Sequence, residues 1–132
     1  MKIVVVGSGR LGSSVAMDLA REGHQVTIVD EVEAKFRNLE NASAVRKMTG
    51  NIFSEEILEQ AFGDRTDVAI IVTGKDNVNI MIAQIIKLKR NVGRVIVRIF
   101  DPPLAEVYQK LGLETVCPTN FALTNIINLV HR

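Results

Sequence analysis

KIVVVGSGRLG, residues 2–12, is the stretch on which the reading turns. Ile3 to Val6 is a continuous β-branched and apolar run, the pattern of a strand buried on both faces. Gly7 breaks it, and from Arg10 to Glu22 the apolar residues return at helical spacing. Between strand and helix lie Gly7, Gly9 and Gly12, spaced GxGxxG. That spacing alone is a weak signal; its context makes it a strong one. A strand precedes it and a helix follows. A second strand, QVTIVD (25–30), ends in Asp30, 18 positions beyond Gly12. Each glycine has a separate job: Gly7 for the tight turn, Gly9 for close approach to a pyrophosphate, Gly12 for helix-on-sheet packing. The helix start then offers unpaired N–H groups and a partial positive charge to an anion. The expected binding turn is therefore Gly7, Ser8, Gly9, Arg10, Leu11 and Gly12. Asp30 and Glu31 stand where ribose hydroxyls are held. A carboxylate there repels a 2′-phosphate, which favours NAD or a plain adenine nucleotide over NADP.

The same rhythm extends outward. Apolar runs AVRKMT (44–49), DVAIIVT (67–73), RVIVRIF (94–100) and ETVCP (114–118) read as further strands. Helical patterns separate them over Val32–Asn41, Ser54–Phe62, Asp76–Arg90 and Pro103–Leu111, and Thr119–His131 closes the series. Ser54 is placed to cap its helix, as is Asp76, unless Asp76 touches ligand. Six alternations of strand and helix predict an α/β fold with right-handed crossovers. The number fits a Rossmann-like, doubly wound parallel sheet in the order 3-2-1-4-5-6. The polar third run and the short sixth belong at its edges. The expectation is one complete nucleotide-binding domain over residues 1–132, with almost nothing added.

Ligands of such sheets lie outside the strand C-termini. That rule adds Thr73, Gly74 and Asn79 after strand four, and Gly50 and Asn51 after strand three, on the adenine side. It also adds Arg98 in strand five. An arginine inside an apolar run needs a partner: phosphate, carboxylate or solvent. Arg10 opposes the helix dipole unless an anion is present. It reads either as a solvated rim residue or as a phosphate contact, in its own site or across a symmetric interface.

Composition limits the alternatives. The chain has 132 residues, with 16 Lys and Arg against 15 Asp and Glu, a net charge of +1. That balance carries no strong nucleic-acid footprint. The single cysteine, Cys117, excludes an internal disulfide and a cysteine metal cluster, and reads as a buried inert thiol in the last strand. No apolar run approaches the ~20 residues of a membrane span, so direct membrane insertion is not expected. No acid/base pair, nucleophile elbow or metal spacing is visible. His24 reads as a turn residue on the face away from ligand, and His131 is penultimate. A nucleotide site without catalytic equipment reads as a sensor. The helices at 77–88 and 121–130 are apolar beyond one core-facing stripe, which predicts subunit contacts unless neighbouring helices cover them.

GSGRLG, VTIVD, the TGN after strand three, TGKDNVN, VIVRIFDP and LGLETVCP together resemble the regulator-of-potassium-conductance (RCK, or TrkA N-terminal) domain. The resemblance spans essentially the whole chain. It implies a cytosolic Rossmann-like domain that binds ATP, ADP, AMP or NAD(H). It further implies homodimers or larger rings that gate an integral membrane potassium channel or transporter of the Trk/Ktr type. Such a subunit is cytoplasmic and peripheral to the inner face of the membrane through that partner. The glycine turn, Arg10 and Asp30 match the family's nucleotide positions, and Arg98 matches an arginine kept near ligand or partner. Asn51 departs from the aspartate that many members carry. Many members also continue into a smaller C-terminal lobe, which here would be absent or carried by a separate chain. The competing reading is the NAD-binding cofactor domain of an oxidoreductase that lacks its substrate domain.

Overall fold

The computed structural model describes residues 1–39 and 44–132. Its core is one sheet of six parallel strands: β1 (Lys2–Val6), β2 (Gln25–Asp30), β3 (Val45–Thr49), β4 (Thr66–Ile71), β5 (Val92–Arg98) and β6 (Glu114–Val116). They lie in the order β3-β2-β1-β4-β5-β6, as the alternation predicts. β1 pairs with β2 on one side and β4 on the other. The polar β3 and the three-residue β6 occupy the two edges.

Five α-helices connect and follow the strands: α1 (Arg10–Arg21), α2 (Glu55–Phe62), α3 (Asp76–Lys89), α4 (Pro102–Lys110) and α5 (Pro118–Val130). Alternation along β1 sends Val4 and Val6 into one core and Ile3 and Val5 into the other. The first core packs under α2, α3 and α4 through Phe62, Ile82, Ile86 and Ala105. The second packs under α1 through Ala16, together with Phe36 and Leu39. Burial on both faces explains the unbroken valine run, since no position of Ile3–Val6 exceeds 3% exposure.

The segment after β2 departs from expectation. It is a 3₁₀ helix over Glu33–Leu39, not an α-helix over Val32–Asn41, and Asn41 lies outside the described residues. The reason lies in the core it meets: Phe36 and Leu39, three residues apart, are both buried in the second core, and a three-residue turn sends both into it.

Strand ends also shift. The chain leaves β5 at Arg98 rather than Phe100 because the Asp76 carboxylate takes the Phe100 and Asp101 amides, at 2.8 and 3.0 Å. Asp76 therefore caps a neighbouring loop, while Lys75 holds the N-cap position of α3. Ser54 holds that position in α2 without a side-chain cap bond. Cys117 is not in β6. It is buried at the N-cap of α5, with Sγ 3.6 Å from the Phe100 carbonyl. His24 lies in the turn between α1 and β2, at the N-terminal end of the strands.

The apolar surplus is real on two helices. α3 buries Ile80, Ile82, Ala83 and Ile86 yet leaves Met81 and Leu88 in solvent. α5 buries nothing: Phe121, Ile126 and Val130 are all more than half exposed. Among the described residues no helix is long and apolar enough to cross a membrane.

Candidate functional site

The strand order reverses between β1 and β4, and a cleft of about 590 Å³ opens there at the strand C-termini. Its floor is the turn from β1 into α1. Gly7 adopts φ +106°, a left-handed conformation open to glycine, and an added Cβ would stand 2.7 Å from the carbonyl oxygen of Val72, just past the end of β4. Gly12 has the opposite problem: its Cβ would stand 1.9 Å from the Gly7 carbonyl oxygen, so helix and turn touch backbone to backbone. Gly9 faces open space. The amides that open α1 directly after Gly9 have no partner inside the helix, and a helix start of this kind can receive an anion.

Asp30 closes the β2 side. Its Oδ2 accepts from both the Ser8 amide and the Ser8 hydroxyl, each at 2.9 Å, and its Oδ1 accepts from the Val32 amide at 2.9 Å. Ser13 in turn donates to the Ser8 carbonyl at 2.9 Å. Burial pushes the Asp30 carboxyl upward. The donors from Val32 and Ser8, with the Lys35 charge, outweigh it and hold Asp30 below the ordinary carboxylate range. Asp30 is thus ionised and pre-oriented, with lone pairs left over for ribose hydroxyls.

The β4–β5 side is built differently. Asn79 is fully buried on α3 and does not line the cleft. Its Oδ1 accepts from the Thr73 amide at 3.0 Å and from the Thr73 hydroxyl. Its Nδ2 donates to the carbonyls of Thr73 and Arg98, at 3.1 and 2.9 Å. One side chain therefore straps together the ends of two strands. Asn79→Leu should leave those backbone groups unpaired and lower the unfolding free energy by about 2–3 kcal/mol, read from urea denaturation.

Arg98 does line the cleft, and its Nη2 donates to the Val72 and Thr73 carbonyls at 3.0 and 2.7 Å. Its guanidinium lies 4.7 Å from the Phe100 ring centroid. Among the described residues it forms no salt bridge, so the structural ion pair that the sequence left open is not made. Its Nε is buried without a partner. Burial lowers its pKa, partly opposed by the Asp76 charge, and it remains a cation facing the cleft.

Of the residues expected from sequence, the cleft brings together Gly7, Ser8, Gly9, Asp30, Glu31, Gly50, Thr73, Gly74 and Arg98. Gly12 and Asn79 support it from behind. Arg10 and Leu11 are exposed and contribute no side chain to the cleft. Asn51 turns back on itself, its Oδ1 accepting from the Phe53 amide at 2.9 Å. Residues not anticipated there include Lys35, Lys75, Val32, Ile52, Phe53 and Val78. Their shared signal is position, since each lies on or just after a strand-to-helix connection. Among the described residues no cluster of three or more His, Cys, Asp or Glu could hold a metal.

A parallel sheet in this order, with a glycine turn at the switch point and a carboxylate at the end of β2, defines a Rossmann-like α/β protein. Sequence and structure comparisons narrow this further. The chain belongs to the TrkA-N domain family, which it matches over residues 3–119. It is 35% identical over 127 residues to the Trk system potassium uptake protein TrkA of Streptomyces coelicolor, covering 96% of this chain and 57% of that protein. Its identity to a TrkA homologue of Methanothermobacter thermautotrophicus is 28% over 133 positions, covering 100% of this chain and 61% of that one. The chain thus spans about three-fifths of the length of these relatives. Among solved structures it superposes on the TrkA-N domain of the Escherichia coli inner membrane protein ybaL with a TM-score of 0.83, at 18% identity, covering 97% of this chain and 95% of that one. The AMP-bound Kef C-terminal domain of Shewanella denitrificans gives 0.81 at 17% identity, covering 100% and 83%. These two likenesses concern the fold.

Proposed function

We propose that this chain is the nucleotide-sensing module of a Trk/Ktr-type potassium uptake system. It binds ATP, ADP, AMP or NAD(H) in the switch-point cleft and passes the bound state to a membrane transporter subunit through a dimer or larger ring. The observation that carries this reading is the floor of the cleft, with Gly9 open to an anion and Asp30 held ionised beside it. The names of the TrkA relatives support the transport role, and the AMP in the Kef domain supports the ligand class. On this reading the chain acts in the cytoplasm beside the membrane, reached through its partner.

The exposed apolar faces of α3 and α5 are the surfaces on which copies would assemble. Ligand can shift such an assembly only by binding one geometry better than another. Arg10 supplies a means, because it is exposed beside the glycine turn and outside the lining of its own cleft, where it can meet the terminal phosphate of a neighbour's nucleotide. The test is calorimetric titration with ATP, ADP, AMP, NAD and NADH, with assembly followed by light scattering. Binding of adenine nucleotides with a change in assembly is expected. Arg10→Ala should keep the fold and lose ATP/ADP discrimination; unchanged discrimination removes Arg10 from the mechanism. Binding of NAD or NADH alone, with no change in assembly, transfers the chain to the cofactor-domain reading.

A further inference from the structure

Resting on the nucleotide reading of the cleft, we infer that Phe100 is a positioning residue that ties the cleft cation Arg98 to the base of α5, so that an anion in the cleft loosens that helix at its root. α5 buries no residue and stands off α4 across a groove of about 850 Å³, lined on its own side by Asn120, Thr124 and Asn128 among others. Its direction is therefore set at its base. Among the described residues its side chains make one hydrogen bond to the rest of the domain: the Thr119 hydroxyl donates to the Phe100 carbonyl at 2.7 Å. The Cys117 thiol, at the N-cap position, lies 3.6 Å from the same oxygen.

That carbonyl is oriented from the cleft side. A peptide unit is planar, so the Phe100 carbonyl and the Asp101 amide move as one body. The Asp101 amide donates to Asp76 Oδ2 at 3.0 Å, and the Phe100 amide donates to Asp76 Oδ1 at 2.8 Å. Asp76 opens α3 directly after Lys75, which lines the cleft. The Phe100 ring is 40% exposed and outside the cleft lining, with the Arg98 guanidinium 4.7 Å from its centroid. One residue thus meets the cleft cation with its ring, α3 with its amide and α5 with its carbonyl. A phosphate in the cleft competes for the same guanidinium. A charge-assisted pair is stronger than a cation–π contact on a half-exposed ring, and stronger than the bonds that Arg98 Nη2 gives to the neutral carbonyls of Val72 and Thr73. Once the guanidinium turns to the anion, the ring loses its partner and the Phe100 peptide loses one of its holds. That exchange of ring for phosphate is the differential contact a ligand needs in order to shift a population.

The experiment is hydrogen–deuterium exchange at the amides of Phe121 to Thr124, with and without saturating ATP, in the wild-type chain and in Phe100→Leu, Phe100→Tyr and Thr119→Val. ATP is expected to speed exchange there about threefold or more in wild type and in Phe100→Tyr, which keeps the ring. Phe100→Leu and Thr119→Val should exchange at the faster rate without nucleotide and respond no further. Thr119 is exposed and outside the cleft lining, so Thr119→Val should keep the wild-type ATP affinity, read by calorimetry. Circular dichroism checks that the variants are folded. Wild-type exchange that ATP leaves unchanged or slows overturns the inference, as do Phe100→Leu and Thr119→Val responding like wild type, while the nucleotide reading survives on the calorimetry. If ATP does not bind the wild-type chain, that reading fails and takes this one with it.

Discussion

Gly12→Ala is expected to cost at least about 2 kcal/mol of stability, seen as a fall in Tm of about 5 °C or more. Two effects oppose one another. Alanine inside a helix gains about 1 kcal/mol over glycine. The new methyl, however, would stand 1.9 Å from the Gly7 carbonyl oxygen and 3.1 Å from a Val72 methyl. A carbonyl in a tight turn cannot rotate aside as a side chain can, so α1 must lift off the sheet and carry the anion-facing amides with it. The steric term wins, and nucleotide binding is lost along with stability. Gly9→Ala is the matched control. Its methyl meets nothing within 4 Å, so stability should change by less than about 0.5 kcal/mol. Nucleotide affinity should still fall by about tenfold or more, because the methyl occupies the approach path of the phosphate. Equal stability losses in the two variants, by thermal melts, would refute this account of the turn.

Asp30→Ala is expected to have the largest effect on binding among variants that leave the glycine turn in place. Three donors, the Ser8 amide, the Ser8 hydroxyl and the Val32 amide, lose their acceptor together, and the ribose loses its own. Nucleotide affinity should drop by about 10- to 100-fold, with about 1–3 kcal/mol of stability lost as well. Asp30→Asn separates the two: it keeps an acceptor for the turn but removes the charge, so affinity should fall more than stability. The acid dependence follows from the same contacts. Asp30 is held below its unfolded-state pKa, so its stabilisation is fully present above about pH 4 and is lost as pH falls through the folded pKa. The stability difference between wild type and Asp30→Asn should therefore be flat at neutral pH and shrink below pH 4. Urea midpoints measured across that range give the answer.

Most of the sheet was legible because its signals are local and redundant. Continuous β-branched runs, glycines at fixed offsets and a terminal carboxylate each point to the same topology. The misses share a different physics. Phe36 and Leu39, three apart, fit an α-helix or a 3₁₀ helix equally well on paper; the choice depends on the core they meet. Asp76 has the composition of a cap, yet its carboxylate is taken by amides 24 and 25 residues downstream. Asn79 has the composition of a ligand contact, yet the helix turns it inward, where Thr73 and the β5 backbone consume all it can offer. Arg98 stands out as a charge in an apolar run, but its neutral carbonyl partners lie just past the end of the neighbouring β4. Lys35, Lys75 and Phe53 reach the cleft from connections, whose course no periodicity reports.

The central place of β1 also sets an order of events during synthesis. One edge of β1 pairs with β2, which follows within 25 residues, but its other edge waits for β4, whose first residue is Thr66. At ribosomal rates the roughly 60 residues between them take about 3 to 12 s to appear. For that interval the valine-rich strand that anchors both cores is a bare template, long on the timescale of hairpin formation or collapse. The nascent chain is most vulnerable to mispairing not while its last helix is missing but before its middle strand has emerged, and holdase binding to stalled chains should be strongest in that window.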